Sequence, residues 1–210
     1  MRLRRRRVLV LALLVLGAAS LGEAARIHTK AWLGQRLIEH AWQKLQRGEE
    51  AARPWPWADT WPVARIEVPA HGVNLFVLAG GTGRTLAWGP GHLAGTAPVG
   101  ALGNSVVAGH RDTHFAFLRE LQNGTLIRVE DADGRVRAYR VVESFVTHDR
   151  DAEVLAPTQG VRLTLVTCWP FDAPLPGGAQ RYVVVAEAAA ESSRRSRSKP
   201  SRPPTGSIHS

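Results

Sequence analysis

Cysteine is nearly absent from this chain of 210 residues, which holds a single one, Cys168. One cysteine excludes a disulfide bond within the chain. A lone cysteine usually serves as a small buried hydrophobic side chain. Any chemical role for Cys168 must therefore be argued from the residues around it.

The central part of the chain lacks an excess of charge, although the whole sequence has a formal net charge of +9. The excess lies at the two ends, because residues 26–188 hold 17 cations against 16 acids. A nucleic-acid-binding domain would carry a basic face in its folded part. The charge distribution therefore argues against a nucleic-acid partner.

The first 25 residues combine an arginine cluster with an apolar run. Residues 8–25 form a run of 18 residues with one charge, which as a helix would extend about 27 Å and just span a bilayer core. Five arginines before the run predict a cytoplasmic N-terminus. We predict a single-pass anchor over 1–25 in the inner membrane, with the rest of the chain in the periplasm. A cleaved signal peptide is the alternative, because Ala18-Ala19-Ser20 offers small residues for cleavage.

Residues 26–62 are predicted to form a juxtamembrane helix and a linker rich in Trp and Pro. The period of apolar residues over 30–47 is helical, with Trp32, Leu33 and Trp42 among those on one face. The following PWPWADTWP segment cannot continue a helix because of its prolines. Its tryptophans are expected to cover the edge of the next domain, with an aromatic anchor at the membrane interface as the alternative.

Residues 63–188 are predicted to form a mainly β domain. Short β segments alternate with turn residues, and Asp-Gly at 133–134 is typical of a hairpin. Short helices fit 115–121 and 151–156. Many strands and few helices favour a barrel or a sandwich. The predicted strands are 64–68, 73–78, 104–109, 125–129, 136–146, 161–167 and 181–187.

Residues 189–210 are polar, basic and rich in proline. Such a segment cannot bury enough apolar surface to fold, so we predict a disordered tail. The glycine-rich GGTGRT at 80–85 lacks the Gly-Lys-Ser/Thr of a phosphate-binding loop and is predicted to be a flexible connection.

The motif TLVTCWP, residues 164–170, is the strongest local signal. Its β run ends at Cys168, and Trp169 and Pro170 follow. A thiol at the end of a strand and beside a loop can be both rigidly held and accessible, as a nucleophile must be.

A second β run, within GNSVVAGHRDTHF at 103–115, ends at Gly109 and presents His110. Imidazole has the pKa range needed to supply or stabilise a thiolate. A histidine after a strand is usually structural or merely exposed. Other candidates are His92, His114 and His148.

The last β run opens with Gln180-Arg181-Tyr182-Val183. An arginine at the start of a strand is normally a solvated charge. Near a reacting carbonyl group it can instead stabilise oxyanion charge without losing its proton. A metal site at His110, Asp112 and His114 is disfavoured, because the chain lacks a compact set of ligands.

Together these motifs resemble the sortases, which are cysteine transpeptidases. GNSVVAGHRD, TLVTC and the RYVVV strand match in residue type, order and spacing, over about residues 60–188. The PWPWADTWPVARI segment and the Trp after the cysteine are most similar to the sortases of Gram-negative proteobacteria. The resemblance implies an eight-stranded sortase-type β-barrel with short helices, preceded by the transmembrane and juxtamembrane helices.

The resemblance also implies the roles of three residues. Cys168 is the expected nucleophile, His110 the general acid and base, and Arg181 the group that binds the oxyanion and positions substrate. No cofactor or metal is expected. The family's hydrophobic groove would lie near the barrel strands and the 169–180 loop.

By the same resemblance the client is an exported protein with an LPxTG-like C-terminal signal, typically of the von Willebrand type in the Gram-negative subgroup. The acceptor is an amine, with peptidoglycan as the family default. Two alternatives stay open: an L,D-transpeptidase-like cell-wall enzyme, whose S-H-G-x-C signature is absent here, and a membrane-tethered β-barrel binding module without catalysis.

Overall fold

The computed structural model of the protein describes residue 29 and residues 32–50, 52–175 and 177–189. The predicted anchor over 1–25, and all but the first residue of the predicted tail, lie outside these ranges. Within them, no helix combines the length and apolar character needed to cross a bilayer.

The described part of the chain folds into a closed barrel of eight strands, as the family resemblance implies. Seven strands fall on the segments predicted from the sequence. The eighth, β3, was missed because it has only two residues. The strands are β1 (Pro62–Val68), β2 (Val73–Ala79), β3 (Gly91–His92), β4 (Gly103–Ala108), β5 (Leu126–Asp131), β6 (Val136–His148), β7 (Val161–Trp169) and β8 (Gln180–Ala188).

The order around the barrel is β1-β2-β3-β4-β7-β8-β6-β5, with β5 pairing back to β1. The pairs β2–β3 and β4–β7 are parallel, and the others are antiparallel. Because β4 and β7 run side by side in the same direction, their C-terminal ends lie at the same end of the barrel.

The interior of the barrel is apolar because alternate residues of each strand point inward. β1 shows this alternation directly, with Ala64, Ile66 and Val68 fully buried. Leu163 and Leu165 of β7 and Val184 and Ala186 of β8 join the same core cluster. Each described strand has a neighbour on both sides, although β3 pairs with β2 and β4 over only two residues.

Helix α1 covers the described residues 32–46 and agrees with the predicted helix. Ile38, Ala41 and Trp42 are buried, and the ring of Trp42 lies 6.0 Å from that of Phe76 on β2. The predicted apolar face is too long, however, because Trp32 and Leu33 at the helix start are exposed. The period predicts which residues share a face but not how far the barrel wall extends beneath them.

Two tryptophans of the linker differ in their surroundings. Trp55 packs 4.9 Å from the ring of Trp88, which lies in the connection between β2 and β3. Trp57 is 82% exposed.

Short helices fill four of the connections between the described strands, the first being the 3-10 helix η1 (Pro69–His71) between β1 and β2. The 115–121 and 151–156 predictions correspond to 3-10 helices η2 (Ala116–Glu120) and η3 (Ala152–Leu155). The glycine-rich segment predicted as a flexible connection contains helix α2 (Gly83–Leu86), whose N-terminus is capped by the side chain of Thr82. The predicted hairpin turn joins β5 to β6, and Gly134 there has a φ of 76°.

Candidate active site

Cys168 and Arg181 lie directly opposite each other on neighbouring antiparallel strands. The register of β7 and β8 pairs Cys168 with Arg181. Side chains of directly opposed residues project from the same face, with Cβ atoms about 4.5–5.5 Å apart. The thiol and the guanidinium group therefore share one face of the barrel wall.

That face is the outer one. Leu165 points into the barrel core, so the next residue, Val166, points outward. Cys168 lies two residues after Val166 on the same strand and therefore also points outward. On β8 the inward Val184 likewise leaves Val183 and Arg181 outside. Val166, which is half-buried, pairs with Val183, which is fully buried, so apolar side chains adjoin the thiol.

His110 leaves the end of β4 beside these residues. Ala108 is the parallel partner of Val166, and the Gly109 amide donates to the Val166 carbonyl oxygen at 3.0 Å. Thr167 Oγ1 donates to the Gly109 carbonyl oxygen at 2.7 Å. The backbone just before His110 is thus bonded to the backbone just before the cysteine.

Gly109 is required at this point by its surroundings. An added Cβ would lie 2.7 Å from the ring of Phe115, which is fully buried. The Phe115 amide donates to the His110 carbonyl oxygen at 2.9 Å and closes a turn. The chain therefore turns sharply after β4, and His110 is exposed at the end of the barrel.

The other candidate histidines occupy different environments. Nε2 of His92 lies 2.8 Å from the Ala97 carbonyl oxygen, and Nδ1 of His148 pairs with Asp149 at 2.8 Å. Burial, and secondarily the nearby His110, lower the pKa of His114 below its ordinary 6.5. In the described ranges, no group of three or more His, Cys, Asp or Glu side chains could hold a metal ion.

Arg181 is held from two sides, by the 149–160 connection between β6 and β7 and by the 170–179 connection between β7 and β8. Its Nη1 donates to the carbonyl oxygens of Gly178 (2.7 Å) and Gln180 (2.8 Å). Nη2 lies 3.5 Å from Asp149 Oδ2. A guanidinium group carries five N–H donors, so these three bonds fix its position while leaving donor capacity for a substrate oxygen.

Two buried polar side chains at the site were missed by sequence reasoning. Asn104, on β4, donates from Nδ2 to the carbonyl oxygens of Val154 (2.9 Å) and Ala156 (3.1 Å), and its Oδ1 accepts from Thr164 Oγ1 at 2.7 Å. It thereby holds the 149–160 connection between β6 and β7 against the outer face of the wall.

The second is Arg111, which is 3% exposed and directly follows His110. Its Nη1 donates to Pro170, and its Nη2 to Ala173 and Leu175, at 2.7–2.8 Å from the carbonyl oxygens. Nε donates to Asp112 Oδ1 at 3.2 Å. A sequence alone does not reveal that a charged side chain is buried. For Arg111 the one available signal of burial was its place between a buried strand and an aromatic residue.

Comparison with known proteins identifies the family. Residues 66–189, more than half of the chain, match the sortase domain family. Sortase D of Bacillus subtilis (strain 168) is 27% identical over 120 residues, which are 57% of this chain and 60% of that protein. The chain therefore matches less than two thirds of that relative's length.

Solved structures agree. The Clostridium perfringens sortase D5 transpeptidase has a TM-score of 0.62 at 26% identity, over 75% of this chain and 99% of that one. Sortase A of Listeria monocytogenes has a TM-score of 0.55 at 27% identity, over 61% and 88%. With its closed eight-stranded barrel and matched domain, this chain belongs to the sortase family.

Proposed function

We propose that this protein is a membrane-anchored cysteine transpeptidase of the sortase type. The observation that carries the proposal is the pairing of Cys168 with Arg181 beside the strand end that bears His110. A thiol, an imidazole and a guanidinium group at one end of a rigid wall are the groups that acyl transfer through a thioester requires.

In the first half of the reaction, the Cys168 thiolate attacks the carbonyl carbon of a peptide bond in the client's sorting signal. The C–N bond breaks, His110 gives its proton to the departing amine, and a thioester remains. In the second half an amine acceptor attacks the thioester, His110 takes up a proton, and the C–S bond breaks. Dividing one difficult step into two easier ones is what covalent catalysis provides.

Arg181 stabilises the negative charge that develops on the carbonyl oxygen. A guanidinium group suits this role because it keeps its proton and presents a fixed set of donors. The bonds that it donates to the carbonyl oxygens of Gly178 and Gln180 and to the carboxylate of Asp149 hold it in place before substrate arrives. Val166, which is half-buried on the same face as the thiol, offers apolar surface to a bound peptide, whereas Val183 beside it is fully buried.

The proposed client is an exported protein with an LPxTG-like C-terminal signal, of the von Willebrand type if the chain belongs to the Gram-negative subgroup. The acceptor is an amine, for which peptidoglycan is the first candidate. The sequence of residues 1–25 supports a single pass through the inner membrane, with the barrel on the periplasmic side.

The test is thioester formation by the full-length protein. The protein is mixed with a synthetic LPxTG-containing peptide, and intact-mass spectrometry follows a covalent adduct that hydroxylamine releases. The adduct should form on the wild-type chain and be absent from the Cys168→Ala variant, because no other residue supplies a thiol. A folded wild-type protein that forms no adduct with any tested signal would instead favour the membrane-tethered binding module.

A further inference from the structure

The buried guanidinium group of Arg111 connects two parts of the candidate site. Its backbone directly follows His110, and its side chain reaches the segment that directly follows Cys168 and Trp169. Three carbonyl oxygens of that segment, at Pro170, Ala173 and Leu175, accept its hydrogen bonds.

These bonds add to other contacts of the same segment, among them the burial of Phe171 in the core cluster and the bond from the Asp149 amide to the Ala179 carbonyl oxygen at 2.7 Å. Residues 170–179 connect β7 to β8, and those of them that the structure describes, 170–175 and 177–179, form no regular strand or helix. An arginine buried to this degree is stable only if its donors are satisfied. The same bonds satisfy the donors of Arg111 and organise the first half of the 170–179 connection.

The two halves of this connection are held by different arginines. Arg111 donates to the carbonyl oxygens of residues 170, 173 and 175. Arg181 donates to the carbonyl oxygens of Gly178 and Gln180. Arg181 belongs to the proposed chemistry. Arg111 has almost no exposed surface with which to touch a substrate.

We propose that Arg111 is a positioning residue that fixes the strand end bearing His110 to the connection following Cys168. The inference rests on the proposed transpeptidase function. It adds that the relative placement of the thiol and the imidazole depends on this buried side chain. A misplacement of about 1 Å in a reacting group can lower a rate about 100-fold.

The experiment compares Arg111→Gln and Arg111→Lys with Arg119→Gln in the full-length protein. Arg119 is a matched control because it contacts the same connection from outside, pairing with Asp172 at 3.4 Å and lying over the Phe171 ring at 4.8 Å. Single-turnover thioester formation gives a rate constant and a peptide KM. A smaller folded fraction lowers the amplitude but leaves the rate constant unchanged.

We expect Arg111→Gln to lower the rate constant about 100-fold with little change in KM. Arg111→Lys should keep the charge but still lose at least about tenfold, because a lysine is a point charge and cannot fork to three carbonyl oxygens. Arg119→Gln should stay within about threefold, as exposed ion pairs contribute little.

A second readout does not depend on sorting activity. Chymotrypsin cleavage after Phe171, which is buried, should be at least about tenfold faster in Arg111→Gln, because charged hydrogen bonds that hold the segment are lost. The lysine variant gives the same comparison if the glutamine variant does not fold.

Rate constants and cleavage equal to those of Arg119→Gln would overturn the proposal. If the wild-type chain forms no thioester, the proposed function fails, and cleavage alone decides whether Arg111 holds the segment.

Discussion

Two connections border the candidate site, and they are held in different ways. The 149–160 connection is tied to the wall by Asn104, a neutral amide at the start of β4. The 170–179 connection is tied by Arg111, a charged group beyond the end of the same strand. One strand and its extension thus fix both sides of the site.

The difference lies in where each tie acts. Asn104 lies at the start of β4, six residues before His110, so its loss should loosen the 149–160 connection without moving the reacting groups. Arg111 is adjacent to His110, so its loss should move them. We therefore expect the 149–160 connection to influence peptide binding and the 170–179 connection to influence the chemical step.

Arg181 contacts both connections, at Gly178 in one and at Asp149 in the other, and the Asp149 amide also donates to the Ala179 carbonyl oxygen at 2.7 Å. Arg181→Ala should fold and should lower the rate of thioester formation by about 10²–10³, the usual effect of removing one oxyanion-stabilising donor. Single-turnover kinetics on the full-length chain measure this loss.

Asp149→Asn is the matched control. It removes the exposed ion pair but keeps the guanidinium group, so a loss below about fivefold is expected. If the two variants were equally impaired, Arg181 would act by bridging the connections and not by contacting the substrate.

The tie at Asn104 can be broken without changing charge. Asn104→Ala leaves two carbonyl oxygens of the 149–160 connection and the hydroxyl of Thr164 without their partner, and should lower the free energy of unfolding by about 1–3 kcal/mol. Urea unfolding measures this change, and peptide KM should rise more than the rate constant falls. Thr164→Val, which removes only the hydroxyl that donates to Asn104, should have the smaller effect. A rate constant that falls while KM stays constant would contradict the assigned division of roles.

Local sequence patterns predicted most of the strands of the barrel. Short β segments bounded by turn residues predicted seven strands, and Asp133-Gly134 predicted the hairpin between β5 and β6. β3 escaped because Gly91–His92 is too short to show alternation; its pairing with β2 and β4 comes from tertiary contacts. Likewise the helical period of α1 could not show that Trp32 and Leu33 extend beyond the wall.

The site required more than local patterns. A separation of 13 residues between Cys168 and Arg181 fits many loop geometries, and only the family resemblance suggested that the two meet. Asn104 and Arg111 were missed for a related reason. Polar and charged residues usually lie at the surface, and only tertiary packing decides which of them is buried and bonded to loop carbonyl groups.

The smallest expected effect distinguishes the two connections by pH. Asp151 precedes η3 in the 149–160 connection, and the hydroxyl of Thr147, followed by the amide of Glu153, lowers the pKa of this carboxyl below its ordinary 3.8. The stabilising contribution is therefore present above pH 3.8 and is lost as the pH falls through the lowered pKa. NMR titration of the Glu153 amide should show the cap of η3 weakening at acidic pH, and Asp151→Asn should remove that dependence. The carbonyl oxygens that accept from Arg111 do not titrate, so those bonds to the 170–179 connection should persist over the same range. Simultaneous loosening of both connections would show that they are coupled and not held independently.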